Sequence, residues 1–398
     1  MRGQIYTRGD GKNRRYLVRI YLGRDPDTGK QKFPRHTIHS TKKDAETWLN
    51  AKLREIELGE YVAPSTITFG ELLDLWLTGK RGNVSERTHS DYSYTIKTYI
   101  KPYLGSIRAS QLTSDRLMEH YEKMKERGLT NRTLRHIHIV IKAALREAVT
   151  QRKLVHNPAA SIQTPRKSRK ISIRFFKPDE AKSFCEAAKT DRHGAIFLFA
   201  LETGMRPEEY LALRWSDLDW AKRQVTVSRT LSLPREGGYK FIETAKTKKS
   251  YRTLPVSSML MGKLRDHHET QIVYKKYMVE HGKWEDHDLI FSSATGTPYF
   301  LHNLGRYFKR LLTNAELDPK MRLYDLRHSC ATLMLSSGVN AKIVSERLGH
   351  ASVAFTLDTY CHVLPNEQTS ATNVLTSVLG YRVTGEPLGT QKADNLIG

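Results

Sequence analysis

Two rhythms of apolar spacing run through the chain, and the change from one to the other marks its first domain. From Arg15 to Leu22 (Arg-Tyr-Leu-Val-Arg-Ile-Tyr-Leu) polar and apolar residues alternate, the period of a half-buried strand. Arg24-Asp-Pro-Asp-Thr-Gly29 supplies turn residues, and Gln31 to Ile38 reads as the returning strand. Thr41 to Leu58 then takes helical spacing through Ala45, Trp48, Leu49, Leu53 and Ile56. Residues 1–62 are expected to form a small α+β domain, a three-stranded sheet plus one helix.

A linker is expected over residues 61–66. Thr68-Phe-Gly-Glu71 then has the pattern of a capping box opening a helix through Leu72, Leu75 and Trp76. Ser85 to Ile100, Thr113 to Arg127 and Thr130 to Arg152 are also helical, and each begins at a Ser or Thr suited to N-capping. Residues 66–165 therefore read as an all-α bundle of about four helices. A second linker follows, with Pro158, Pro165 and the basic run 166–170. From 172 to 383 the pattern is mixed and mainly α with a small β-sheet. Ala195 to Leu201 is a buried helical run, Gln224–Ser228 and Lys240–Glu243 are short strands, and 244–255 is a basic hairpin. Residues 366–379 form a weakly amphipathic helix, and 384–398 carry no periodicity and read as a disordered tail.

Composition narrows the partner. The chain of 398 residues carries a net charge of +23 with a pI near 9.8, more than solubility requires. Such an excess attracts a polyanion, and double-stranded DNA is the expected partner. No apolar run is long enough to span a bilayer and no secretory signal opens the chain, so neither a membrane nor export is expected. Three cysteines (Cys185, Cys330, Cys361), none in a Cys-x-x-Cys pair, suit reduced thiols in the cytoplasm. Candidate DNA contacts are Arg15, Arg19 and Lys32 on the sheet, Arg132 and Arg135 on a helix, and Lys248 and Lys249 on the hairpin. His136 and His138 do not share a helical face, so they read as helix surface rather than a metal site. Gly23 to Lys30 only superficially resembles a phosphate loop, because its glycine spacing is one too long and Gln31 replaces the expected Ser or Thr.

The candidate chemistry lies further on. Arg206 sits in a turn leading into a helix, where a guanidinium can be aimed at a phosphate, and Glu209, three residues on, can orient it. A lysine from the basic hairpin, if brought to a departing hydroxyl, can serve as its general acid. Leu323-Tyr-Asp-Leu-Arg-His328, Leu348-Gly-His350 and Thr356-Leu-Asp-Thr-Tyr360 add an arginine, histidines and a tyrosine beside apolar helical segments. Together they suit a tyrosine phenol attacking a phosphodiester held by cationic donors.

In these residues the chain resembles the tyrosine recombinases, or phage integrases. Gly204-Met-Arg-Pro-Glu-Glu209 is similar to that family's first-arginine box, and Ala245-Lys246-Thr247 with Ser250–Pro255 to its lysine box. Leu326-Arg327-His328 resembles the second-arginine box. His350 and Tyr360, ten residues apart, resemble the last histidine and the nucleophile. The resemblance implies that Tyr360 forms a 3′-phosphotyrosine, Arg206 and Arg327 neutralise the phosphate, Lys246 protonates the leaving 5′-oxygen and His350 hydrogen-bonds the phosphate. No cofactor, metal or ATP is implied. It also implies a homo-tetramer on two duplexes, coupled through the helix at 366–379, with DNA-bending accessory proteins as further candidates. One position departs. Tyr324 stands where the family usually has a histidine, and a phenol is a poor proton acceptor at neutral pH. His328, following Arg327, is expected to point elsewhere. The function implied is a mobile-element integrase with an arm-binding domain. Alternatives are a Xer-like resolvase of DNA dimers, a type IB topoisomerase and a regulator that has lost catalysis.

Overall fold

A computed structural model describes residues 3–10, 13–24, 29, 31, 33–58, 66–164, 173–235, 237–243, 251–360 and 378–379. Lys32, Lys246, Lys248, Lys249, the linker at 61–65, the basic run, the helix expected at 366–377 and the tail all lie outside that set. Contacts divide the chain into two units, Met1–Lys170 with Pro234–Glu236, and Ile171–Leu233 with Gly237–Gly398.

In the first unit, strands β1 (Gly3–Arg8), β2 (Arg15–Ile20) and β3 (Arg35–Ile38) make an antiparallel sheet in the order β1-β2-β3. Alternation along β2 buries Tyr16, Val18 and Ile20 against Ala45 and Leu49 of α1 (Lys42–Glu57). Its other face carries Arg15, exposed, and Arg19, whose guanidinium lies 3.7 Å from the centre of the Phe33 ring. The returning strand is shorter than expected, with Gln31 reduced to an isolated bridge to Arg24.

A separate apolar core holds the helices α2 (Phe69–Lys80), α3 (Glu86–Thr95), α4 (Lys101–Leu104), α5 (Ser114–Glu126) and α6 (Asn131–Thr150). The capping box at α2 forms as read: the Glu71 amide donates to Thr68 Oγ1 at 3.2 Å and the Thr68 amide to Glu71 Oε2 at 2.8 Å. The helix expected over 85–100 is not uniform. After Thr95 it widens into a π-helical turn over Ile96–Ile100, in which the Lys101 amide bonds the Ile96 carbonyl. Pro102, next in line, has no N–H for the carbonyl four residues back, and the wider turn accommodates it. Along α6, Leu134, Ile137, Val140, Ile141, Ala144, Leu145 and Ala148 make one buried stripe. His138 lies on that stripe rather than on the surface, with Nδ1 3.0 Å from the Tyr121 hydroxyl, while His136 stacks near Tyr92.

The second unit is mainly helical around one large core. It contains α7 (Pro178–Thr190), α8 (Gly194–Thr203), α9 (Pro207–Tyr210), β4 (Leu218–Asp219), β5 (Gln224–Val227), β6 (Arg229–Ser232), β7 (Lys240–Glu243) and β8 (Arg252–Pro255). Then follow α10 (Ser258–Glu280), α11 (Leu301–Asn314), α12 (Leu323–Ser336), α13 (Ala341–Leu348) and α14 (Val353–Tyr360). Apolar nearly all round, α8 is buried and packs against α7, α10 and α12. The strands flanking the lysine segment do not pair with each other: β7 pairs with β6, and β8 joins β5 in the sheet β4-β5-β8. The hairpin expected over 244–255 falls mostly on residues 244–250, which lie outside the described residues.

Candidate active site

Several of the site residues are set by the ends of helices. The apolar α8 stops at Gly204, which adopts a left-handed conformation with φ +64°. Two residues on, Arg206 is the N-cap of α9, with Pro207 in the first turn where a missing N–H costs nothing. Glu209 reaches back to accept from the Arg206 amide at 2.9 Å and from its Nη1 at 2.9 Å. The same device opens α12, where Asp325, fully buried, accepts from the Arg322 amide at 2.8 Å and its Nη2 at 2.9 Å. Arg327 follows on the buried side of that helix.

The guanidinium of Arg327 is 1% exposed, so how it is satisfied decides what it does. Its Nη1 donates to the Gly204 carbonyl at 2.8 Å, and its Nη2 has no hydrogen-bond partner among the described residues. Burial and then the neighbouring Arg206 push its pKa down to about 10, so it remains cationic at neutral pH. Arg206 also donates to the Gly349 carbonyl at 3.4 Å, and Glu209 holds it charged against the cost of its burial.

Arg252 belongs to this cluster although spacing gave no sign of it. From β8 it donates to both oxygens of Glu209, at 3.2 and 2.8 Å, and to the Arg347 carbonyl at 2.9 Å. Although burial works against it, the Glu209 carboxyl is held below its usual range by Arg252 and Arg206. Three guanidiniums thus face one buried carboxylate. That imbalance favours an anion.

Behind Arg347, α13 ends at Gly349, with φ +66°. The left-handed backbone favours glycine there, and a Cβ would lie 2.9 Å from Arg252 Nη1 and so displace the arginine. His350 follows, buried, with Nδ1 2.6 Å from Thr356 Oγ1, which leaves Nε2 for a ligand. Burial, then Arg327, Arg206 and Arg252, lower its pKa to about 4. Tyr360 closes α14, with its ring buried against Ala331, Leu335, Val344 and Leu348. Burial raises its pKa while Arg327 and Arg206 oppose that rise. Its hydroxyl lies 2.8 Å from His328 Nδ1. His328 is thus directed at the tyrosine. Tyr324 is 39% exposed at the start of α12, close enough to Arg206 to support its charge.

Arg206, Glu209, Arg327, His350 and Tyr360 are thus brought together, with Tyr324 at the edge. Of the expected DNA contacts, Arg15 and Arg132 are exposed and Arg135 is half-buried. Among the described residues no group of three or more His, Cys, Asp or Glu side chains is placed to hold a metal ion. Nor is any described helix long and apolar enough to cross a membrane.

The carbonyl of residue 204 holds Arg327, so Gly204→Ala tests the frame. The left-handed conformation costs a non-glycine residue about 1–2 kcal/mol. The new Cβ would also meet Leu348 Cδ2 at 2.7 Å and Cys330 Sγ at 3.0 Å. The urea midpoint is expected to fall, and an unchanged midpoint would show that the turn relaxes freely.

Acid is a second probe. His120, buried in the bundle with neither ring nitrogen bonded among the described residues, is also lowered to about 4, by burial and then Lys123. Both His120 and His350 start from 6.5 in an unfolded chain. The unfolded state takes up these protons first, so stability present above about 6.5 is lost progressively towards about 4. Denaturant midpoints at about pH 7 and about pH 5 should differ in that direction.

This fold and site define a class, that of helical proteins with a buried tyrosine held beside an arginine–histidine anion site. Comparison with known proteins gives it a family. The model described as "Phage integrase family" matches residues 174–367, and "Phage integrase, N-terminal SAM-like domain" matches 68–125. A protein named "Tyrosine recombinase XerC-like" from Caldanaerobacter subterraneus subsp. tengcongensis is 30% identical, over 90% of this chain and 95% of its own length. The ICEBs1 integrase of Bacillus subtilis (strain 168) is 28% identical, over 92% of this chain and 98% of its own. Among solved structures, a Tn1549 transposon integrase in complex with a circular intermediate DNA superposes with a TM-score of 0.63 at 21% identity. It covers 78% of this chain and 99% of that one. A lambda integrase tetramer bound to a Holliday junction gives 0.53 at 18% identity, over 89% of this chain and 94% of that one. The chain belongs to the phage integrase family and is a site-specific tyrosine recombinase of the integrase type.

Proposed function

We propose that this recombinase integrates and excises a mobile element by cutting and rejoining double-stranded DNA through a covalent 3′-phosphotyrosine on Tyr360. The observation that carries the reading is Arg327, a buried guanidinium with Nη2 unpartnered among the described residues, beside Arg206 and His350 and interacting with Tyr360. A scissile phosphate supplies the missing charge. Arg206 and Arg327 hold its non-bridging oxygens, His350 donates to it from Nε2, and Lys246 protonates the departing 5′-oxygen. Preorganised donors of this kind contribute on the order of 10²–10³ each in rate. The ester keeps the energy of the broken bond, so rejoining needs no ATP. Tyr324, with its phenol near Arg206, adds a hydrogen bond to phosphate.

The basic sheet and the helical bundle, with Arg15, Arg132 and Arg135 among the contacts, hold the DNA. Four copies act on two duplexes, in keeping with the tetrameric lambda integrase assembly. Binding is expected to weaken steeply with salt as counterions are released; a flat response would remove the basic clamp from the picture. This reading places the protein at the bacterial chromosome.

Covalent trapping tests the reaction itself. Wild type and Tyr360→Phe are incubated in EDTA, without ATP, with duplexes tiling the DNA that borders this gene, then quenched in SDS. Protein-linked DNA in wild type alone is the expected result. An adduct that persists in the Phe variant would assign the attack to another residue.

A further inference from the structure

Tyrosine attack needs somewhere for the phenol proton to go, and the position the family usually gives to a histidine is Tyr324 here. A phenol accepts protons poorly at neutral pH. One helical turn further along the same face of α12 stands an imidazole. Residues four apart are neighbours on a helix, and the Tyr324 and His328 rings are 5.3 Å apart, edge to face. His328 Nδ1 lies 2.8 Å from the Tyr360 hydroxyl, the reacting atom. The other histidine of the site is otherwise engaged, since His350 Nδ1 is taken by Thr356.

The geometry points to His328 as the group that takes the proton from Tyr360 during cleavage, a catalytic role transposed one turn along α12; this rests on the functional reading above. As the Tyr360 O–H bond breaks, its proton passes to Nδ1 of the neutral imidazole. The freed oxygen pair forms the new bond to phosphorus, and the bond from phosphorus to the 5′-oxygen breaks. That oxygen leaves with the proton assigned to Lys246. His328 ends the step as an imidazolium and returns its proton to Tyr360 when the strand is rejoined.

The surroundings suit an acceptor. From its own element His328 faces Tyr324, Asp325 and Arg327, with Arg322 at the helix cap; from α14 it faces Tyr360, and it interacts with His350. Burial, then Arg327 and Arg322, outweigh Asp325 and hold the ring below its ordinary pKa. At neutral pH it is uncharged and able to accept.

The test is single-turnover adduct formation by the full chain on the same tiled duplexes, across a pH series, for wild type, His328→Ala and His328→Gln. The glutamine variant keeps a hydrogen-bonding group near the phenol but cannot take its proton. Both variants are expected to slow by about 10²–10³-fold at neutral pH, the contribution of a positioned base. Wild type should show an acidic limb as the imidazole protonates, while both variants should instead gain rate with hydroxide. A His328→Gln rate within about threefold of wild type would make His328 a positioning residue only and overturn the proposal. A wild-type profile without an acidic limb overturns it too, and needs no variant to fold. The two failures separate cleanly. If wild type makes no adduct, or Tyr360→Phe still makes one, the functional reading falls and this proposal falls with it. If the adduct depends on Tyr360 but His328→Gln matches wild type, only the role of His328 is lost.

Discussion

Arg327→Met is expected to leave thermal stability unchanged or raised while cutting DNA cleavage by on the order of 10²–10³. The two effects have one cause. The guanidinium is almost wholly buried, makes one hydrogen bond to the Gly204 carbonyl, and has its Nη2 unpartnered among the described residues. Burying a charge without a full set of partners is unfavourable, and the lowered pKa of Arg327 is the mark of that cost. Methionine fills similar volume without a charge. Against this stands the Gly204 carbonyl, which loses a charged partner at a cost of about 1–3 kcal/mol. In the absence of DNA the balance favours the variant, and in its presence the phosphate has lost its deepest donor. Melting curves with single-turnover assays give both readouts. A large fall in melting temperature would mean that Arg327 is a structural pillar and not an anion donor.

Glu209→Gln should do the opposite and lower stability outright. Its carboxylate is buried and accepts from Arg206 and from both terminal nitrogens of Arg252. Remove that charge and three guanidiniums are left with no anion among them. Breaking a buried pair by removing one partner typically costs about 3–5 kcal/mol, and an amide of the same shape restores only part of the hydrogen bonding. The urea midpoint should drop accordingly. Inorganic phosphate should recover part of the loss in proportion to its concentration, because an anion that binds only the folded state stabilises it. If phosphate has no effect on the variant, the cluster is not an anion site.

The contrast between these residues shows what sequence can reveal. Arg206 with Glu209 was legible because a helix start fixes both positions from local chain alone. Arg327, His350 and Tyr360 were legible through their order, their apolar neighbours and the resemblance to the recombinase boxes. Arg252 was not, because its partners lie at Glu209 and Arg347, and nothing in the run Tyr251–Pro255 encodes those distances. The partner of His328 was hidden for a related reason. Position on one helix gives a direction, but what stands in that direction is α14, set by packing on α13. The pairing of β7 was hidden in the same way: Lys240–Glu243 was visible alone as a strand, while its choice of partner was a matter of the whole sheet. The π turn after Thr95 had a local cause, since Pro102 lies within the sequence, but helical spacing runs through it unchanged.

The tie between Glu209, Arg252 and the end of α13 bears on when the protein becomes dangerous. A ribosome making this chain releases Arg206 and Glu209 first, Arg252 later, and Tyr360 last of the four. Contacts so distant in sequence form late, after the intervening chain has closed on itself. On the proposed chemistry, a stalled or prematurely ended product therefore holds the grip without the blade. It can cling to a chromosome through its basic surface, yet it leaves no break behind. Capacity to cut arrives together with the frame that holds the cut ends for resealing.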